Sequence, residues 1–370
     1  MSKIRVLIVD DSVVIRRLLS DTLAQDPDIE VAGIAANGRL ALAKLPQLNP
    51  DLVTLDIEMP ELDGLQTLPE LRKVYPKLPV IMFSTLTERG AVATLEALSR
   101  GATDYVTKPA NVGSVAEAVQ NVKEQLIPKI KALCPRHGAV NVALPAKRSA
   151  ASVRPSGVKA AQRSDVVVIG SSTGGPQALA SVLSSLPADF PLPIVVVQHM
   201  PPVFTRHLAA RLEQVTPFRA REAAGGEVLQ PGEILIAPGD VHLELRCQGA
   251  EVVTVLHQAP PENSCRPAVD VLFRSAAHVY GRHCLGVVLT GMGHDGLRGA
   301  EQIVQCGGTV VAQDEATSVV WGMPRAVAEA GLARDVLPLT AIADKLVSLA
   351  SFDRRRPAAD RGAALCRGAQ

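Results

Sequence analysis

Charge of one sign is missing from this chain. Its 38 lysines and arginines are balanced by 37 aspartates and glutamates, a formal net charge of +1 over 370 residues. No general electrostatic pull toward nucleic acid or an anionic membrane is therefore expected. Cysteine is also sparse. The six residues show no paired spacing, which argues against a disulfide framework and for a reducing compartment. Cys134-Pro135-Arg136-His137 is the only Cys/His cluster, and without a second half it lacks the ligand count of a zinc site. No apolar run reaches the ~18 residues of a membrane span, and the N-terminus carries no apolar signal region. The expectation is a soluble cytoplasmic protein with no direct membrane insertion. What is present fits that class: 47% of residues are hydrophobic and 20% charged. The chain is too long for one ordinary core, so two domains are predicted.

Short apolar runs alternate with helical patterns from residue 4 to about 125. Ile4–Val9, Leu52–Leu55, Val80–Phe83 and Asp104–Val106 read as strands. Between them, apolar residues recur at three- and four-residue spacing, as in Val13-Val14-Ile15, Leu18-Leu19 and Leu23. Such alternation predicts a parallel sheet with helices on both faces. Residues 134–164 turn to Pro, Ala, Ser, Lys and Arg without periodicity, which is the composition of a linker. A second alternating α/β region runs from Asp165 to about Ser351. The tail, with Arg354-Arg355-Arg356, reads as disordered. The division expected is a first domain over 1–125, a flexible linker over 126–164, a second domain over 165–351 and a tail over 352–370. The two halves share no repeat.

In the first half, acidic residues stand at strand ends. Asp10 and Asp11 close the first strand and Asp56 the next, while Lys108-Pro109 follows Asp104–Thr107. The carboxyl ends of strands line the functional crevice of an open parallel sheet. Three gathered carboxylates repel one another, so a hard divalent cation such as Mg2+ is their expected companion. Lys108 can neutralise an incoming phosphoryl group, and Ser84-Thr85 offers a hydroxyl. Any one of these residues, Asp11-Ser12 for example, could simply cap a helix; four successive strand ends carrying them together point to a site. With Asp56-x-x-Met59-Pro60-x-x-Asp63-Gly64, the set resembles a response-regulator receiver domain. The resemblance implies a flavodoxin-like fold with Asp56 as phospho-acceptor. It further implies Mg2+ held by Asp10, Asp11, Asp56 and the Glu58 backbone carbonyl, with Ser84 and Lys108 on the phosphoryl group. Tyr105 falls where that family places its switch aromatic.

In the second half, three loops follow apolar strands: Gly170-Ser171-Ser172-Thr173-Gly174-Gly175-Pro176, Gln198-His199-Met200-Pro201, and Gly291-Met292-Gly293-His294-Asp295-Gly296. The first lacks the terminal Lys of a phosphate-binding P-loop and the third glycine of a dinucleotide fingerprint. A purely structural glycine turn would not explain His and Asp at the other two strand ends. Parallel strands would bring Ser, His and Asp to one sheet edge, as a nucleophilic relay requires. Gly170-x-Ser172-x-Gly174 centres a nucleophile-elbow pattern on Ser172, with Ser171 off centre. Backbone N–H groups around Thr173, Gly174 and Gly175 suit a developing oxyanion. Among eight histidines, His199 alone ends the strand that follows the nucleophile's helix, which makes it the base; His294, beside the candidate acid, stays open on sequence alone. Asp295, crowded by glycines after a strand, is favoured as the acid over Asp270 and Asp314.

The chain order Ser, His, Asp departs from the α/β-hydrolase order and resembles the catalytic domain of the chemotaxis protein-glutamate methylesterases. Residues 165 to about 350 carry that resemblance through the three loops, with Ser171 where the family often has Ala and His294 where Asn is frequent. The resemblance implies a Rossmann-like domain of the second doubly wound, parallel-sheet type. It implies hydrolysis of methyl-glutamyl esters and deamidation of certain glutamines through an acyl-enzyme, without a cofactor for that step. Met292 is expected to line the pocket. The partners implied are methylated chemoreceptor cytoplasmic domains as substrate and a chemotaxis histidine kinase as phosphodonor. Both sites on one chain suggest that the unphosphorylated receiver covers the esterase crevice and that phosphorylation of Asp56 loosens it. A non-enzymatic response regulator would call for a basic recognition helix, and none is evident. The alternative kept is the same enzyme architecture acting on a receptor of a non-chemotaxis pathway, since the receptor leaves no local motif.

Overall fold

The structure, a computed structural model, describes residues 3–108, 115–135 and 164–350. Pro109, most of the expected linker and the tail lie outside the described residues. The first domain has strands β1 (Ile4–Val9), β2 (Ile29–Ala35), β3 (Leu52–Asp56), β4 (Val80–Ser84) and β5 (Asp104–Thr107). They form one all-parallel sheet in the order β2-β1-β3-β4-β5. The strands β3 and β4 are buried throughout, as parallel strands covered by helices on both faces must be. The strand β2 was not among those read from the sequence. It is an edge strand, half-exposed along most of its length, so its residues lack the continuous apolar run of the central strands.

Local signals fix the helices around this sheet. Ser12 caps Val13–Leu23, Asn37 caps Gly38–Leu48, and Thr87 caps Glu88–Ser99. Asp63 and Gln66 form a reciprocal capping box for Gly64–Val74, which satisfies otherwise orphaned N–H groups. The last helix runs from Val115 to Leu133, eight residues past the boundary expected at 125. Pro128 lies inside it and forfeits one backbone bond, yet Val122, Leu126 and Ile130 bury a continuous stripe against Ile4, Val6 and Phe83. Packing outweighs the helix-breaking residue.

The second domain adds β6 (Val166–Ser171), β7 (Ile194–Gln198), β8 (Arg219–Glu222), β9 (Glu233–Ile236), β10 (His242–Gln248), β11 (Glu251–His257), β12 (Cys284–Val288), β13 (Thr309–Gln313) and β14 (Asp335–Leu337). Seven of these form a parallel sheet in the order β14-β13-β12-β6-β7-β9-β8, and β10 with β11 forms a separate antiparallel hairpin. Both domains are thus parallel-sheet α/β units. The order makes β12, β6 and β7 neighbours, so the three chemically dense loops leave adjacent strands on the same edge.

The two domains share buried surface. Leu95, Leu98, Ala102 and Tyr105 of the first join Ala178, Leu179, Val182 and Phe204 of the second in one apolar cluster. Tyr105 stacks on Phe204 with ring centroids 4.9 Å apart and planes 7° from parallel, an aromatic contact that adds to burial. Polar contacts fix the register of this junction. Thr173 Oγ1 donates to Asp104 Oδ2 at 2.9 Å, and Gln177 Nε2 donates to the Leu98 and Ala102 carbonyls. Glu88 pairs with Arg206 and His207 at the rim.

Candidate active site

At the carboxyl edge of the first sheet, Asp10, Asp11 and Asp56 each place an oxygen within 4.8 Å of the others. Asp10 and Asp56 are buried. Lys108 Nζ, carried on the turn after β5, reaches Asp10 Oδ2 at 2.9 Å and Asp56 Oδ2 at 2.7 Å. Asp56 Oδ1 accepts the Ile57 N–H. Burial lifts the Asp56 carboxyl to about 6 against the pull of Lys108. Lys108 is itself raised: burial works against its charge, and the bonds to Asp56 and Asp10 outweigh it. Ser84, Glu58 and Gly90 line the same cavity of about 220 Å³, with the Ser84 hydroxyl donating to the Gly90 carbonyl at 3.2 Å. Gly64 has a steric reason: a Cβ there would stand 2.2 Å from the Asp56 carbonyl oxygen. Ser12, not Asp11, caps the following helix, which leaves the Asp11 carboxylate to the pocket. All-oxygen donors in this number suit a hard cation such as Mg2+. Asp10 Oδ2, buried with no hydrogen-bond partner apart from the Lys108 ammonium, has a lone pair to give.

In the second domain, backbone bonds tie the three loops together. Ser172 N–H donates to the Thr290 carbonyl at 3.0 Å, and His199 N–H to the Ser171 carbonyl at 3.1 Å. The chain turns into the helix Gly175–Ser184 through Gly174, whose φ of +76° is a left-handed conformation that glycine tolerates. Gly291 packs on the same point: a Cβ there would come within 2.8 Å of Ser172 Cβ. Ser171 is fully buried and donates to Gln198 Oε1 at 2.7 Å, so it faces inward, away from the cleft. Gln198 Nε2 in turn donates to the Ser172 carbonyl at 2.9 Å. The neighbouring serine therefore belongs to a scaffold that holds the elbow.

His199 Nε2 lies 2.8 Å from Asp295 Oδ2. Asp295 also accepts N–H bonds from Val269, Asp270 and Gly296, and from the side chain of Asn263. Burial alone would raise its pKa; His199 and these donors hold it below the ordinary carboxylate value. Burial alone would lower the pKa of His199, but Asp295 and the Cys265 sulfur outweigh it and push it up to about 10. The rivals have other tasks. Asp270 accepts from Gly299 N–H and Asn263, Asp314 accepts from Thr317, and His294 is exposed.

Two site residues escaped the sequence reading. Asn263 and Ser264, both at positive φ, form a tight turn between Glu262 and Cys265, which exchange backbone bonds. That turn aims Asn263 at Asp295 and sets Cys265 Sγ 3.7 Å from His199 Nδ1. The legible signal was Asn at a turn, since asparagine tolerates the left-handed region. Of the expected oxyanion and pocket residues, Thr173 directs its hydroxyl to Asp104, and Gly174 starts the helix, whose first N–H groups lack intrahelical partners. Met292 is 37% exposed; neither it nor Ser172 is among the residues that bound the cleft at His199. That cleft, about 510 Å³, is bounded by His199, Met200 and Cys265 on one side and by Tyr105, Gln125 and Lys129 of the first domain on the other.

A carboxylate–lysine pocket on one parallel sheet, joined to an α/β domain with Ser, His and Asp at adjacent strand ends, is the pattern of a response regulator with a hydrolase output. Residues 6–120 match the response regulator receiver domain family and residues 167–346 the CheB methylesterase family. A protein-glutamate methylesterase/protein-glutamine glutaminase of Nocardioides sp. is 56% identical over 372 residues, covering 96% of this chain and 98% of the relative. One of the same description from Trichodesmium erythraeum is 51% identical over 94% of this chain and 99% of its own length. The crystal structure of the Thermotoga maritima CheB methylesterase catalytic domain superposes with a TM-score of 0.50 at 48% identity, covering 50% of this chain and 98% of that domain. The chain belongs to the family of receiver-linked CheB protein-glutamate methylesterases. Among the described residues, no helix is long and apolar enough to cross a membrane.

Proposed function

We propose that this chain hydrolyses the methyl esters of methylated glutamyl side chains on chemoreceptor cytoplasmic domains, and deamidates certain receptor glutamines, under control of its receiver. Ser172 is the nucleophile. Neutral His199 takes its proton as the hydroxyl attacks the ester carbonyl, and Asp295 holds the imidazole orientation and stabilises the imidazolium that forms. The N–H groups at Thr173 and Gly174 receive the oxyanion, since the start of a helix favours developing negative charge. Methanol leaves with the proton from His199; water, deprotonated by the same ring, then clears the acyl-enzyme. An amide substrate passes through the same tetrahedral intermediate and releases ammonia. The observation that carries this reading is the His199–Asp295 pair at 2.8 Å, on a strand end bonded to that of Ser172.

In the receiver, Asp56 accepts a phosphoryl group from a chemotaxis histidine kinase. Asp10, Asp11, Asp56 and the Glu58 carbonyl would hold Mg2+, which supplies charge neutralisation for that transfer. Lys108 and Ser84 then turn to the new phosphoryl oxygens. Without phosphorylation the receiver restrains the esterase; what supports this is that Tyr105, Gln125 and Lys129 wall the cleft at His199 and that Asp104 is bonded to Thr173 beside Ser172.

Methanol release from methylated receptor fragments, with and without a phosphodonor, tests both parts. Ser172→Ala should abolish release and Asp295→Asn should cost less. A segment covering 160–370, matching the domain solved alone for the Thermotoga maritima relative, should outpace the unphosphorylated full chain. Turnover surviving Ser172→Ala would overturn the nucleophile. Silence on chemoreceptors with hydrolysis of another methylated protein would move the enzyme to a different pathway.

A further inference from the structure

The loop Gln258–Pro267 carries two side chains that touch the relay, Asn263 on Asp295 at 2.9 Å and Cys265 on His199 at 3.7 Å. A second histidine holds this loop. His242 opens strand β10, is 1% exposed, and reaches both ends of the loop. The Ala268 N–H donates to its Nδ1 at 3.2 Å, and its Nε2 lies 3.1 Å from the Pro260 carbonyl oxygen, which can only accept. The two partners assign the tautomer: the proton is on Nε2 and the lone pair on Nδ1. Ala268 immediately precedes the helix Val269–Tyr280 and offers it no side-chain cap. The N–H groups of Ala268, Val269 and Asp270 are among those that a helix start leaves without intrahelical partners. His242 takes the first, and Asp295 takes the next two.

We infer that His242 is a positioning residue of the esterase site: its neutral imidazole ties Pro260 to Ala268 and so sets Asn263 and the helix start against Asp295. The ion pairs of the loop hold it less firmly. Arg266 with Asp240 and Glu262 with Arg274 are partly exposed, and such pairs contribute little in water. A buried donor or acceptor that loses its partner, by contrast, costs the full desolvation of that group. Only the neutral ring serves both partners. A proton on Nδ1 would point an N–H at the Ala268 N–H, two donors face to face, and the loop would have to move away. His257 faces the ring across the hairpin, with centroids 5.3 Å apart, and Glu262 and Arg266 face it from the loop. Each has a counter-charge nearby: Glu244 for His257, Arg274 on the helix for Glu262, and Asp240 for Arg266. Burial above all, with His257 and Arg266, outweighs the Pro260 carbonyl and Glu262 and holds His242 below the ordinary imidazole value.

The effect on rate rests on His199 and Asp295 acting as the relay; the clamp on the loop does not. The full-length chain without phosphodonor is assayed by methanol release from methylated receptor fragments, and deuterium uptake over 258–268 is followed in the same proteins. His242→Asn keeps an oxygen near the place of Nδ1 but cannot titrate, whereas His242→Leu removes both bonds. Native kcat/KM should fall about tenfold per pH unit while His199 alone takes up a proton, and about a hundredfold per unit once His242 does so too. His242→Asn should retain most of the native rate at neutral pH and lack the steeper limb. His242→Leu should lose about tenfold or more in kcat and take up deuterium faster over 258–268, with phosphorylation of Asp56 retained. Equal pH profiles for the native chain and His242→Asn, or native kcat and native uptake in His242→Leu, would overturn the inference. Faster uptake in His242→Leu at unchanged kcat would establish the clamp and overturn its part in the reaction. A native chain silent on receptor fragments would count against the proposed substrate, and the uptake comparison then decides the clamp by itself.

Discussion

Replacing Asp104 by alanine is expected to raise the ester-hydrolysis rate of the unphosphorylated chain. Asp104 makes two strong contacts, to Thr173 Oγ1 at 2.9 Å and to Lys129 Nζ at 2.7 Å. The Lys129 pair lies within the receiver and survives if the domains part. The Thr173 bond exists only while the receiver sits on the elbow, one residue from Ser172. A hydrogen bond to a charged group contributes about 1.5–3 kcal/mol. At about 1.4 kcal/mol per tenfold, its loss shifts the balance between covered and uncovered cleft by about ten- to a hundredfold. The rate should rise by that factor as long as the covered form predominates, and stop at the rate of the phosphorylated chain. Methanol release is the assay, and retained phosphorylation of Asp56 shows that the receiver is folded. Thr173→Val removes the same bond from the other side, so the double variant should be released no further than the stronger single one. An unchanged basal rate in Asp104→Ala, or additive effects in the double variant, would refute the assignment of this contact as a restraint.

Further outcomes follow from the catalytic domain. His199 must be neutral to act as base and its pKa is raised to about 10, so kcat/KM should climb with pH well above the ordinary imidazole value of ~6.5. Asn263→Ala, which removes a donor from Asp295, should move that limb. The stability contributed by protonated His199 is complete below its unfolded pKa and is lost as pH rises through about 10; thermal melts across that range check the sign. Ser171→Ala leaves Gln198 Oε1 without its buried donor, and should lower stability by about 1–3 kcal/mol in urea unfolding while hydrolysis persists. Gly291→Ala drives a Cβ to 2.4 Å from Met323 Sδ and 2.8 Å from Ser172 Cβ; a loss of activity of about a hundredfold is expected from displacement of the nucleophile, measured as kcat on receptor fragments.

The central strands were readable because burial on both faces leaves a near-continuous apolar run, as in Val166–Ile169 and Ile194–Val197. Loops at the ends of such runs could then be assigned to one sheet edge, and β12, β6 and β7 are neighbours. Edge strand β2 gave no such run, and Pro128 concealed the end of the helix Val115–Leu133. Asn263 and Cys265 stayed hidden for a different reason. Their place beside Asp295 and His199 depends on a two-residue turn far along the chain, and nothing in a short window reports which long-range partners a turn will meet. The stack of Tyr105 on Phe204 was invisible in the same way: Tyr105 reads as a switch aromatic and Phe204 as part of an amphipathic helix, and neither window names the other as its partner.

The helix Val115–Leu133 ends the receiver and also supplies Gln125 and Lys129 to the wall of the cleft at His199. Under the proposed restraint it would serve as a lever. At ~1.5 Å of rise per residue, Lys129 sits roughly 21 Å along the axis from Val115. A swing of only ~10° about the N-terminal end would carry its ammonium about 4 Å, more than the length of a hydrogen bond. If the receiver restrains the esterase as proposed, a modest tilt without separation of the two domains would withdraw Lys129 from the wall of the cleft.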